Sequence, residues 1–235
     1  MLRGTPIRSQ REEIAMPKEA VVQAAGMPAT NRLPLPFKLA YTAFMAVLIP
    51  VYWYYYGPTN FLYFCDVTLI ITLVAIWIES PLLVSMCAVG ILVPQIYWVI
   101  DFAANAFGVS LTGMTNYMFN PQASLFLRGL SLFHGWLPFM LIYLVWQLGY
   151  DRRGYPAWTG LAWVLLLVCF FFMPPPRPDP GLMPVNIDYV WGMDDTAAQT
   201  WVSPYVWLAG LMIALPLLVF TPTHFFLARF APKAP

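Results

Sequence analysis

Six apolar stretches follow residue 36, and each is close to the length at which a helix crosses a bilayer. They run from about 37 to 55, 60 to 78, 82 to 102, 125 to 148, 158 to 173 and 205 to 227. A crossing takes about 20 predominantly apolar residues. Breakers punctuate the series. Gly57-Pro58 makes a turn after the first stretch, Glu79-Ser80-Pro81 closes the second, and a Gly-, Thr-, Ser- and Asn-rich link follows the third. Gly149-Tyr150-Asp151-Arg152-Arg153 ends the fourth, and Pro174-Pro175-Pro176 ends the fifth. Proline lacks the N–H and clashes with the preceding turn, so a helix cannot run through that triplet. The expected fold is all-α: a polytopic membrane bundle of six helices.

Composition agrees. Charged residues make up 10% of the 235, against about 25% in an ordinary soluble domain, and mean hydropathy is +0.65. So few charges cannot cover a water-soluble surface, which argues against a soluble enzyme, a nucleic-acid binder and a disordered chain. A net charge of +1 sets up no global field for polyanions. Residues 1–36 differ from the rest. They carry Arg3, Arg8, Arg11, Lys18 and Arg32 beside Glu12, Glu13 and Glu19, and read as a mobile tail. The tail lacks the continuous apolar core of a cleavable signal; a start at Met16 or Met27 stays open. Residues 37–230 form the membrane domain and 231–235 a short C-terminal tail.

Charge also orients the spans. With both termini cytoplasmic, ten of the twelve basic residues lie inside, leaving Arg128 and Arg177 toward the other face. That is the asymmetry of the positive-inside rule, and Tyr and Trp at the segment ends fit interfacial belts. The expected location is the inner (cytoplasmic) membrane, multi-pass.

On this topology the intramembrane polar residues gather toward the outer side. Asp66 lies six residues beyond Asn60, roughly 9 Å along a helix, with Cys65 beside it. Asp101 closes the third span above Trp98 and Gln95. Arg128 opens the fourth, with His134 six residues deeper. The last outer loop adds Asn186 and Asp188. A charge in hydrocarbon costs roughly 2.5–3.5 kcal/mol even on the permissive insertion scale, so such groups face a bundle interior or a watery cavity. The expectation is one outward-opening pocket, with a structural ion pair of Asp66 and Arg128 between the second and fourth helices as the alternative for those two residues. The pocket's ligand-binding side chains are Arg128, Asp101, Asn60, Trp98, Gln95 and Asn186. The plainer reading, that these groups only stitch helices together, stays open beside it.

Cofactor signals are missing. The sequence holds no Gly-rich phosphate loop, GxSxG, HExxH or CxxC. The two histidines, His134 and His224, fall at opposite ends, and Cys87 and Cys169 sit in apolar runs as packing residues. No metal and no cofactor is expected.

The stretches Gly57–Asp66 and Phe126–His134, with Asn186–Gly192 and Pro222-Thr223-His224, resemble a family of uncharacterised bacterial membrane-associated proteins, over nearly everything after residue 37. Phe64-Cys65-Asp66 and Phe133-His134-Gly135 are more distantly similar to the Cys and His elements of YwaF-like membrane proteins and TMEM-type phospholipid acyltransferases, although Phe133 stands where that pattern has Ser. The resemblance implies a catalytic pair of Cys65 and His134. Thiolate attack needs a base in hydrogen-bond reach, and Asp66 or Asp101 could orient the imidazole while Arg128 holds a lipid phosphate. Two functions follow: a lipid-binding membrane protein with membrane lipids as partners and no nucleic acid, or a Cys/His-dependent lipid acyltransferase or hydrolase.

Overall fold

The computed structural model describes residues 32–119, 124–179 and 181–235. Most of the predicted N-terminal tail, 1–31, lies outside the described residues. Eight α-helices make up the described chain: α1 Leu35–Tyr56, α2 Phe64–Ile78, α3 Pro81–Ala106, α4 Leu125–Ser131, α5 Phe133–Leu148, α6 Gly154–Phe172, α7 Pro204–Ala214 and α8 Thr221–Phe230. Five segments are long and apolar enough to cross a membrane: Leu35–Tyr56, Pro81–Ala106, Leu125–Leu148, Gly154–Phe172 and Pro204–Phe230. The protein is an all-helical, multi-pass membrane protein.

The six predicted spans depart from this set at the second. Gly57 takes a left-handed φ of 79°, Pro58–Leu62 forms a 3-10 turn and Tyr63 is extended, so α2 starts only at Phe64 and has 15 residues. The fourth span is broken at Leu132, one to two turns before Pro138. Two 3-10 bonds, from Leu132 N–H to Gly129 O and from Gly135 N–H to Leu132 O, carry the chain through the break. The last span holds a π turn, Leu215–Phe220, between α7 and α8.

α3 is the hub. It packs against α2, α5, α6, α8 and the π turn. Its apolar window is 56% buried, against 17% for the α7–α8 span at the periphery. Small residues allow this close packing. A Cβ on Gly90 would fall inside the ring of Trp158, which is fully buried. A Cβ on Gly154 would meet the Ser85–Met86 backbone at 2.8 Å.

One end of the bundle is fastened by Glu79, a left-handed C-cap at φ 50°. Its carboxylate accepts from Lys38 Nζ at 2.7 Å and from the Arg32 and Leu33 N–H groups at 2.9 and 3.2 Å. Burial pushes Glu79 up, but Lys38 and the two N–H groups outweigh it and hold the carboxyl below its usual range. Arg32 and Leu33, read from sequence as tail, are thus anchored to the bundle. The predicted C-terminal tail is anchored too: Tyr150 N–H donates to Pro232 O and Ala234 N–H to Tyr150 O, with the Ala234 backbone against Gly149.

Candidate functional site

At the opposite end of α2, its first turn carries one buried carboxylate, Asp66, and receives a second, Asp188, from the 187–189 turn. The first N–H groups of a helix have no intrahelical partner. One of them, Phe64 N–H, donates to Asp188 Oδ1 at 3.1 Å across 124 residues of sequence. Asp66 lies in the same first turn and is 3% exposed. Its Oδ2 accepts from Asn60 Nδ2 at 3.3 Å and from Cys65 Sγ at 3.6 Å. Among the described residues, neither Asp66 Oδ1 nor Asp188 Oδ2 has a hydrogen-bond partner, and both atoms are buried. Asp188 lies on a loop, in the 3-10 turn Ile187–Tyr189, outside the spans. Burial pushes it up to about 8, the neighbouring Asp66 charge acts the same way, and the Phe64 N–H opposes both.

Aromatic and hydroxyl groups ring this pair. Tyr52 and Ser131 share a hydrogen bond of 2.8 Å. The hydroxyl of Tyr117 sits near Trp98 and Ser131, and burial and the nearby Cys65 push its phenol up. His134 Nδ1 bonds the Ser131 carbonyl at 2.9 Å, and its ring stacks on Trp98 with centroids 5.0 Å apart. The stack continues through Phe102 to Phe119.

Asn60, Cys65 and Asp66 therefore meet as the sequence suggests, with Trp98 and His134 reaching the same region through Ser131 and Tyr117. The Asp66–Arg128 ion pair is not formed. Arg128 Nη1 donates to the Met118 carbonyl at 3.0 Å, and its Nε has no partner among the described residues. Depth counting along one straight fourth helix placed Arg128, and that helix is broken at Leu132. Cys65 and His134 share no hydrogen bond: the thiol is turned to Asp66 and the imidazole to Ser131. Asp101 is fully buried and accepts from the N–H and hydroxyl groups of both Thr112 and Thr115, so it anchors a loop. Asn186 folds the 186–194 loop on itself, donating to the Gly192 and Asp194 carbonyls and accepting from Trp191 N–H. Gln95 is buried one turn below Trp98, its Oε1 without a partner among the described residues.

Tyr52, Ser131 and Tyr117 were missed. Tyr and Ser near a span end look like interfacial or packing residues, and only the tertiary hydrogen bond distinguishes them. Also missed was a cleft of about 470 Å³ lined by Phe170, Phe171, Met173, Pro175, Trp191, Pro204 and Tyr205. The Trp191 ring stacks on Phe170 at 4.4 Å, and its Nε1 is buried without a partner among the described residues. Among the described residues no group of three or more His, Cys, Asp or Glu is arranged to hold a metal ion.

Compared with protein-family models, with curated proteins and with solved structures, the chain matches none. Fold and site define its class: a multi-pass α-helical membrane protein with a buried carboxylate pair at one end of the bundle.

Proposed function

We propose that the protein crosses the cytoplasmic membrane six times with both termini inside, and binds a membrane lipid at the end that carries Asp66 and Asp188. Six crossings follow if the 3-10 turn at Pro58–Leu62 counts with α2. Its five residues, at about 2 Å each, add about 10 Å to the roughly 22 Å of α2, which reaches the thickness of a hydrocarbon core of about 30 Å. Basic residues favour the stated orientation. Reporter domains fused after Gly154 and after Pro184 should report opposite sides of the membrane; the same side for both would overturn this topology.

The observation that carries lipid binding is the cleft at the end of α6. Its walls are aromatic and apolar, as in ligand sites generally, with few polar groups to orient what enters. The Trp191 N–H is a buried donor with no acceptor among the described residues, suited to an ester or headgroup oxygen at the membrane border, where amphipathic rings concentrate. A phospholipid carrying a photoreactive diazirine in its acyl chain should label the segment around Phe170–Met173. Trp191→Ala should cut that labelling roughly two- to thirteenfold, the size expected for losing one aromatic contact of about 0.5–1.5 kcal/mol. Labelling spread evenly over the lipid-facing helices, or indifferent to Trp191→Ala, would sink the lipid reading.

A further inference from the structure

We infer that Asp66 and Asp188 form a proton-binding site, in which one proton shared between the two carboxyl groups fastens the 186–192 loop to the first turn of α2. The same loop carries Trp191, a wall of the cleft, so the hydrogen-exchange test is also run on Trp191→Ala, in which the pH response should persist whether or not lipid binds. Each carboxylate is half satisfied: Asp66 by Asn60 and Cys65, Asp188 by the Phe64 N–H. Each keeps one buried oxygen without a partner among the described residues. Both carboxylates lie at the first turn of α2, Asp188 on the Phe64 N–H and Asp66 two residues further on; two buried charges this near repel one another and lose hydration, which favours keeping one proton on the pair. The resulting O–H supplies the donor that the facing carboxylate lacks, and the pair then carries a single negative charge.

A basic partner could do the same work, and the pair has none among the described residues. Arg128, the candidate from the sequence, donates Nη1 to the Met118 carbonyl and forms no hydrogen bond to either carboxylate among the described residues. The titratable groups that do interact with the pair are all weak acids. Tyr52 and Tyr56 from α1 face Asp66, and Cys65 from α2 lies beside both carboxylates. Tyr63, Tyr189 and Cys169 act on the Asp188 side, and Asp195 faces Tyr63 and Tyr189. Free tyrosine and cysteine ionise near 10 and 8.5, so below neutral pH neither adds charge.

The loop that carries Asp188 needs holding. Asn186, Asp188 and Tyr189 all adopt left-handed backbone, at φ 49°, 55° and 60°. Non-glycine residues stay there only when their surroundings fix them. Part of the fixing is apolar, since Ile187 and Val190 pack with Leu166, Cys169 and Leu208. The attachment to α2 is the polar part. Asp188 is pushed up to about 8. A raised value in the folded state means that this attachment is present at lower pH and is lost as pH rises through about 8.

Amide hydrogen exchange on the full chain in lipid nanodiscs tests this, with rates corrected for base catalysis. Protection across 186–192 should fall at least about tenfold between pH near 6 and pH near 9, one pK unit being a factor of ten. The loop at 112–115, which Asp101 holds through four ordinary hydrogen bonds, should keep its protection and serves as the internal control. Asp66→Asn and Asp188→Asn should each make the 186–192 protection independent of pH, because the amide supplies a permanent donor. Equal protection of 186–192 at both pH values, or an unchanged pH response in both variants, would overturn the shared proton. So would recovery of protection at high pH on adding sodium or calcium, which would make the pair a metal-cation site. If a variant does not fold, the two loops of the wild-type chain decide the matter alone.

Discussion

Gly90→Ala should destabilise the bundle by about 3 kcal/mol, at or beyond the upper end of the usual 1–3 kcal/mol for overpacking a core. The added methyl has nowhere to go. It would lie within the indole of Trp158, whose ring is fully buried and held between Phe64 and Phe220. α3 is the helix that most others touch, so the displaced ring spreads strain to α6 and α8. Reversible unfolding in mixed micelles measures the loss. Trp158→Phe, harmful by itself, should do less harm in the Gly90→Ala background than in the native chain. A Gly90→Ala protein within about 0.5 kcal/mol of native, the range of inert surface changes, would show that α3 and α6 are not packed this closely.

Glu79→Gln should cost at least as much, about 3–5 kcal/mol, the usual range for orphaning one member of a buried pair. The side chains of Lys38 and Glu79 are 6% and 17% exposed, so the ammonium would be left with little water. Lys38→Met together with Glu79→Gln should be milder than Glu79→Gln alone, since no unpaired charge remains. Because the Glu79 carboxyl is held below its usual value, its contribution is present above about pH 4.3, the free value, and is lost as pH falls through the lower folded value. The acid limb of the native stability profile should therefore flatten in Glu79→Gln. A double variant as unstable as the single, with an unchanged acid limb, would remove Glu79 as the fastener of this end.

The spans were legible because lipid demands long apolar runs and because proline and glycine end them visibly, as at Pro174 and Gly149. What lay inside the spans was not. A start delayed to Phe64 depends on Tyr63 being extended, and nothing in an apolar run announces that. The break at Leu132 is not announced either, and counting depth at a constant rise treats a span as a rod. That step misplaced Arg128 and with it the ion pair. The convergence of Asn60, Cys65 and Asp66 was readable because they are near neighbours in one turn and helix. Asp188 joins them from a loop 124 residues away through a backbone N–H, a contact without periodicity. Asp101 illustrates the reverse case: a buried acid in a span suggests a site, yet two threonines a short loop away satisfy it completely.

The π turn at Leu215–Phe220 gives the last span two phases in one helix. A plain α-helix advances about 100° per residue, which would put Leu208 and Phe220 about 120° apart and show Phe220 to the lipid. The wider turn takes up one residue and brings the two within about 20° of each other. Leu227 then falls back on the same line, and all three are buried, at 5%, 1% and 1% exposure. The span thus keeps one continuous seam toward α3 and α6 although its sequence is out of step by a residue. A helical wheel drawn over residues 204–230 would split that seam into two stripes, whereas a single-residue deletion within 215–219 would let a plain α-helix carry the same seam and keep Phe220, His224 and Leu227 toward Trp158 and Tyr150.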